Sequence, residues 1–266
     1  MWGIVPAAGI GSRIQPLGFS KELLPVGSRH HEGAKRPRAV SEYLLQRMVI
    51  AGADKICFVI SPGKSDIMEY FGADYDAATL AYVVQPQPRG LCDAIFRADT
   101  VIDHARPVAV GLPDTIWFPD NALRELPDDA LSFLLFPVER PELFDAVVID
   151  GTDCVREIQV KQHGAASNWI WGAFKMPGTV FFALKALWRE RHCQDEYIGT
   201  LINAYLAEGG TAVGIKAGES YADVGTVEGY RAAMNLLAER DAHDGSGPLI
   251  ARGQLAQATS TTRPAR

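Results

Sequence analysis

Apolar residues fall in short continuous blocks through the first 112 positions, and stretches with helical spacing separate them. Trp2–Val5, Ile56–Ile60, Leu80–Val84 and Val108–Leu112 are four such blocks. They are short, rich in β-branched and aromatic side chains, and bounded by glycine, proline or polar residues. That pattern reads as strands covered on both faces. Between them, Ala39–Ala51 sets Val40, Tyr43, Leu44, Met48 and Val49 on one side of a helix that Gly52 ends. Ser65–Phe71 is a shorter helix closed by Gly72, and Leu91 to Ala98 starts a third. This alternation predicts an α/β fold: a Rossmann-like, mixed but mostly parallel sheet flanked by helices. Ligands of such sheets bind beyond the carboxyl ends of the strands.

The second half changes rhythm. Leu131–Pro137, Ala146–Ile149 and Cys154–Val160 read as strands whose pairing is mixed or antiparallel. Ala183–Arg191 and Glu196–Glu208 read as helices, Val213–Ile215 as a short strand, and Glu228 to Leu237 as a last helix. From His243 on, Gly, Ser, Thr, Ala and Pro dominate with little periodicity. We expect one domain over residues 1–240, in a first part of about 1–120 and a second of about 121–240, with a disordered tail at 241–266. No internal repeat is visible.

Composition adds exclusions. The 266 residues are 47% hydrophobic, enough for a sizeable core, with formal net charge -6 and pI ≈ 5.5. Nothing in that balance points to nucleic acid or an anionic membrane, so phosphates would need local cations. Neither a run of about 18 apolar residues nor a basic leader precedes the first strand, so no membrane span or signal peptide is expected. Cys57, Cys92, Cys154 and Cys193 are scattered without C-x-x-C spacing, which fits packed thiols in a reducing cytoplasm. His30-His31-Glu32 lies in the polar stretch SRHHEGAKRPR and reads as a flexible loop, not a metal cluster. Gly63-Lys64-Ser65 reads as a solvated turn, because Phe58 stands where a Walker A loop needs glycine.

The chemistry concentrates in residues 2–27, WGIVPAAGIGSRIQPLGFSKELLPVG. A strand runs into small residues, Ala7-Ala8-Gly9 and Gly11, whose backbone N–H groups can approach phosphate oxygens closely. Arg13 and Lys21 supply charge. The loop is not a dinucleotide fingerprint, since Ile14 replaces the third glycine. Asp114 follows the fourth strand, where a carboxylate can serve Mg²⁺, a cation that prefers oxygen ligands and shares them with phosphates. Gln85 offers an amide to a base edge, and Gly90 leaves room for a flat ring against the backbone.

The whole pattern G-x-G-S-R-x-x-P-x(4)-K-x(3)-P-V resembles the signature of sugar-nucleotide pyrophosphorylases, nucleotidyltransferases with a nucleotide-diphospho-sugar transferase (GT-A-like) fold. S-K-E-L-L-P-V, and Q-P-Q-P-R-G-L at residues 85–91, look closest to glucose-1-phosphate thymidylyltransferases. G-T-V-E-G-Y at 225–230 looks more like UTP–glucose-1-phosphate uridylyltransferases, so dTTP and UTP both stay open. The resemblance implies a catalytic Arg13 and Lys21, and nucleotide contacts from Ala8, Gly9, Gly11, Ser12, Gln85, Pro88 and Gly90. It implies Mg²⁺ held by Asp114 and Asp223, and sugar-phosphate contacts from Lys161, Asp145, Asn168 and Gly172. The partners implied are small molecules, a nucleoside triphosphate and a sugar 1-phosphate, with a homo-oligomer possible.

Three departures concern the acceptor. Val160 stands where the family's E-K-P motif has glutamate, Gln162 where it has proline, and Phe144-Asp145 where it has Tyr-Gly. An apolar group in place of a hydroxyl acceptor changes which ligand a buried site tolerates. The sugar is therefore open. So are two alternatives: a transferase of this fold using another nucleotide or a non-glucose acceptor, and a non-catalytic nucleotide-binding protein. The longer carboxyl-terminal portion of many thymidylyltransferases has no counterpart here.

Overall fold

A computed structural model describes residues 1–31 and 33–243. Fourteen strands and six α-helices follow in chain order. The first part holds β1 (Trp2–Pro6), β2 (Pro25–His31), β3 (Ala34–Ala39), α1 (Val40–Ile50), β4 (Lys55–Ile60), α2 (Ser65–Phe71), β5 (Asp74–Tyr75), β6 (Ala78–Val84) and α3 (Gly90–Arg97). Next come β7 (Val108–Gly111), β8 (Thr115–Phe118), β9 (Ser132–Pro137), β10 (Asp145–Ile149), β11 (Val155–Val160) and β12 (Trp169–Met176). The chain then forms α4 (Gly178–Glu190), α5 (Ile198–Ala207), β13 (Val213–Ile215), β14 (Ser220–Asp223) and α6 (Val227–His243).

The expected α/β architecture is present. The apolar blocks pair in parallel, β7 on β1, β1 on β4 and β4 on β6, with Ile4 opposite Cys57 and Val110. Because both faces are covered, the two-residue period of a strand sends alternate side chains into two cores. Trp2, Ile4, Cys57 and Val59 pack under α3, α4 and α5, while Val5, Ile56, Phe58 and Ile60 pack under α1 and α2. The second half is antiparallel. β12 pairs with β9 from Trp169 to Lys175, touches β10 at Ile170, and joins β7 at Ala173–Met176. It thereby joins the antiparallel half to the parallel one.

Several sequence expectations need correction. Trp169–Met176 is a buried strand that the sequence reading left unassigned. Strands β2 and β3 pair antiparallel, with Arg29 opposite Arg36 and His30 opposite Lys35, where a flexible loop was expected in SRHHEGAKRPR. Cross-strand backbone hydrogen bonds hold what side-chain pattern alone left shapeless. Helix α1 is buried more widely than one apolar side: Glu42 and Arg47 are inside as well. Arg47 donates to the Trp117 and Tyr43 carbonyls and pairs with Asp120 at 2.9 Å, so its charge is compensated. The tail expected to be disordered lies outside the described residues, save 241–243, which close α6.

Candidate active site

Chain segments leaving β1, β4, β6 and β7 at their carboxyl ends meet on one edge of the sheet. Residues 7–24 follow β1, and two ties fix them to the chain leaving β4. The Ser20 N–H and hydroxyl both donate to Asp66, each at 2.6 Å. Lys64 donates to the Ala7 carbonyl at 2.7 Å and to both carboxylate oxygens of Glu22 at 2.7 and 2.8 Å. Lys64 and Glu22 are both buried, so the reading of residues 63–65 as a solvated turn is corrected: the lysine is a strut beneath the glycine loop. Glu22 had no role assigned from sequence. Within the loop, Gly11 has φ +70, and a Cβ there would come within 2.7 Å of Cδ of Lys21, so the glycine makes room for the lysine side chain.

Strands β8 and β14 bring the two aspartates together. They pair antiparallel with Asp223 opposite Thr115, the residue after Asp114, and the Val224 N–H donates to the Asp114 carbonyl at 2.8 Å. A Cβ on Gly225 would lie 2.8 Å from Asp223 Oδ1, 3.0 Å from Arg13 Nη2 and 3.4 Å from Asp114 Oδ2. Two carboxylates and a guanidinium thus converge on one small space. Arg13 Nη2 lies 3.4 Å from Asp223 Oδ2, Lys21 Nζ lies 2.5 Å from Asp114 Oδ2, and the Gly225 N–H donates to Asp223 Oδ1 at 2.7 Å.

The electrostatics follow from burial and these pairs. Burial opposes ionisation of Asp114, but the Lys21 charge and hydrogen bond, with a backbone N–H and the Arg13 charge, together hold the carboxyl below its ordinary range. Burial would lower Lys21 too, yet Asp114, Glu22 and Asp223 together hold the ammonium above its usual value. Asp223 goes the other way: burial, then the Asp114 charge, raise its carboxyl above the ordinary range. Burial and the two aspartates also push the Tyr221 phenol far up, so it stays a neutral hydroxyl.

A cleft of ≈ 390 Å³ runs from this cluster toward the antiparallel half. Gly9, Arg13, Lys21, Asp114 and Asp223 line one end, and Phe144, Asp145, Lys161 and Tyr197 line the other. The β10–β11 register explains the far end, since Asp145 sits opposite Val160 and the next residue is Lys161. Lys161 has φ +45, uncommon for a side-chain-bearing residue; its N–H donates to the Phe144 carbonyl at 2.9 Å, and its Nζ stands 4.7 Å from the Tyr197 ring centre. Burial raises the Asp145 carboxyl, with Lys161 opposing. Val160, the departure from E-K-P, packs its methyl against the backbone of Gly199.

The remaining sequence candidates stand apart from that lining. Ala8 is buried, Ser12 and Pro88 are exposed, and Asn168 is exposed just before β12. Gly172 lies within β12, where a Cβ would meet the Phe136 ring at 2.5 Å, so its small size serves ring packing. Gly90 has φ +87, and a Cβ there would lie 2.7 Å from Glu196 Cα, so its small size also makes room for the Glu196 backbone. Gln85 is buried; its Nε2 donates to Asp93 Oδ2 at 2.7 Å and to the Gly90 carbonyl at 3.2 Å, while Oε1 accepts nothing from the described residues. Among these residues, no group of three or more His, Cys, Asp or Glu forms a metal cluster, and no helix is long and apolar enough to cross a membrane.

A glycine loop with two cations, facing paired carboxylates and a separate lysine, suits chemistry on phosphorylated groups. The chain belongs to the nucleotidyl transferase family, whose model matches residues 2–240, and it is a nucleotidyltransferase. Among curated proteins it is 26% identical over 249 residues to a glucose-1-phosphate thymidylyltransferase of Neisseria gonorrhoeae, covering 89% of this chain and 82% of that one. It is 24% identical over 246 residues to the UTP–glucose-1-phosphate uridylyltransferase AglF of Haloferax volcanii, covering 90% and 97%. Among solved structures, a putative glucose-1-phosphate thymidylyltransferase from Bacillus anthracis in complex with a sucrose superposes with TM-score 0.75 at 22% identity, covering 89% and 95%. A UDP-glucose pyrophosphorylase complexed with UDP-glucose gives 0.72 at 21%, covering 90% and 98%. The fold expected from sequence is thus shared with nucleotidyltransferases of known structure.

Proposed function

We propose that the protein joins a nucleoside triphosphate, dTTP or UTP, to a sugar 1-phosphate, giving a nucleoside-diphosphate sugar and pyrophosphate. The carrying observation is the convergence of Asp114, Asp223, Arg13 and Lys21 at one end of a cleft whose other end holds Lys161 and Asp145. Relatives named as thymidylyl- and uridylyltransferases of glucose 1-phosphate support the same reading.

In this reaction a sugar-phosphate oxygen attacks the α-phosphorus, a new P–O bond forms, and the bond to the β-phosphate breaks with pyrophosphate leaving. The attacking oxygen is already anionic, so no general base is required; the protein aligns the reactants and neutralises charge. Arg13, exposed at the cleft mouth, holds the β- and γ-phosphates and the charge of the leaving group. Lys21 bridges toward the α-phosphate. Lys161 holds the acceptor's phosphate.

Asp114 and Asp223 fit a divalent cation. Both are hard oxygen donors, and their mutual repulsion, added to burial, already disfavours two bare carboxylates side by side. They would hold Mg²⁺, leaving its other positions to phosphate and water, and the bound ion would supply positive charge at the α-phosphate.

Base selection is assigned to Gln85. With Nε2 committed to Asp93 and Gly90, Oε1 is left without a partner among the described residues and can accept. That suits the N3–H of uracil or thymine and mismatches cytosine, whose N3 is itself an acceptor. On the acceptor side, Asp145 supplies a carboxylate for sugar hydroxyls where Val160 cannot.

A panel of dTTP, UTP, CTP and ATP against several sugar 1-phosphates, read by pyrophosphate release, tests the proposal. Activity restricted to dTTP or UTP with one sugar phosphate is expected. Triphosphate binding without pyrophosphate release for any acceptor would instead establish a non-catalytic nucleotide-binding protein.

A further inference from the structure

A second cavity, of ≈ 520 Å³, opens between α3 and α4 and shares no lining residue with the cleft. Four cations, Arg89, Arg97, Lys185 and Arg189, line it together with two carboxylates, Asp93 and Asp99. Both carboxylates are already engaged, Asp93 by Arg97 at 3.2 Å and Asp99 by Lys185. The Arg89 guanidinium donates only to the neutral Gln87 amide, at 3.2 Å, and the Arg189 guanidinium makes no hydrogen bond or ion pair among the described residues. Two guanidinium groups therefore face one cavity without a counter-ion, in a chain whose net charge is -6.

The surplus is felt inside the cavity. Burial, followed by the positive fields of Arg189 and Arg97, holds the Lys185 ammonium below its ordinary value. The cavity is also built firmly. Its floor is the buried rings of Phe96 and Trp188, centres 5.4 Å apart. Its rim is His192-Cys193, two successive residues at φ +57, with the Cys193 N–H fixed to the Trp188 carbonyl at 2.8 Å.

We propose that this cavity is a second ligand site, separate from the active-site cleft, that binds a small phosphorylated anion between Arg89 and Arg189. Guanidinium forks match phosphate oxygens two at a time, and the apolar floor takes the body of the molecule that carries the phosphate. An inorganic phosphate, a sugar phosphate and a nucleotide all present that chemistry, and the probes below separate them. The inference does not depend on which reaction the cleft performs.

The test is calorimetric titration of the full-length protein with inorganic phosphate, glucose 6-phosphate and uridine monophosphate at physiological salt. Two variants accompany it: Arg13→Ala/Lys161→Ala, which weakens the cleft, and Arg89→Ala/Arg189→Ala, which strips the second cavity. All four positions belong to exposed side chains, and unchanged melting temperatures would verify folding. The expected result is saturable binding of at least one probe that survives in the cleft variant and weakens by about tenfold or more in the cavity variant. Arg89→Lys/Arg189→Lys should restore part of it. Equal binding by the cavity variant and the parent would overturn the proposal, as would the absence of saturable binding to the cleft variant. Because binding is read without turnover, an inactive enzyme leaves this outcome intact.

Discussion

Lys21 Nζ rests 2.5 Å from Asp114 Oδ2, a lysine from the loop after β1 closing on a carboxylate from the end of β7, 93 positions later in the chain. The pair keeps Asp114 ionised and Lys21 charged while both are largely buried. Either residue alone would be an uncompensated charge at the point where the α-phosphate is expected.

Lys21→Ala and Asp114→Asn should each reduce pyrophosphate release by on the order of 10²–10³. The double variant should lose much less than the product of the two, because the residues act as a unit. Steady-state rates at saturating substrates check this; a Lys21→Ala enzyme within a fewfold of the parent would remove the lysine from the mechanism.

Lys64 and Glu22 form a buried pair beneath the glycine loop. Lys64→Met should cost about 3–5 kcal/mol, since it strands a buried carboxylate. Adding Glu22→Gln should recover most of that loss. Urea unfolding of the two single variants and the double variant measures the coupling, and additive losses would contradict it.

Gly225→Ala places a methyl 2.8 Å from Asp223 Oδ1 and 3.0 Å from Arg13 Nη2. Apparent Mg²⁺ affinity should drop by about tenfold or more as the carboxylates are forced apart. The variant should unfold near the parent temperature. Mg²⁺ titration of the initial rate, alongside a thermal melt, separates the site from the fold.

Gln85→Ala removes the acceptor that Oε1 presents. The preference for dTTP or UTP over CTP should fall by about tenfold, the scale of one hydrogen bond plus an unpaired polar group. Comparing kcat/KM for the three triphosphates decides it. Unchanged selectivity would return Gln85 to a purely structural role beside Asp93.

Asp145 carries a carboxyl raised by burial. As pH falls through that raised value the group gains a proton and loses its capacity as a double acceptor. The KM for the sugar 1-phosphate should therefore climb on acidification at a higher pH than an ordinary aspartate would give. Asp145→Asn should show a high KM with this pH dependence absent, and an unchanged profile would exclude Asp145 from acceptor binding.

Much of the parallel half was legible because strands covered on both faces must be continuously apolar, and β1, β4 and β7 carry that mark. Asp114 was legible at a strand end, and Asp223 only through the family resemblance. Their adjacency was not: it comes from the β8–β14 register, a pairing across more than 100 residues with no local signal. Strand β12 escaped because Gly172 interrupts it and an S-N…G segment overlaps it, although its aromatic residues follow a strand's chemistry. The β2–β3 pair escaped because exposed charged strands show no apolar alternation. Lys64 was misread for the opposite reason, a polar triplet whose middle residue turns inward to a partner 42 positions earlier.

The most direct test of the central claim is pyrophosphate release from dTTP or UTP with a sugar 1-phosphate, comparing the parent with Asp114→Asn and Asp223→Asn. The account predicts Mg²⁺-dependent release by the parent and a loss on the order of 10²–10³ in each variant. Near-parental, Mg²⁺-dependent turnover in both variants, or no release by the parent with any pairing of triphosphate and sugar phosphate, would contradict it.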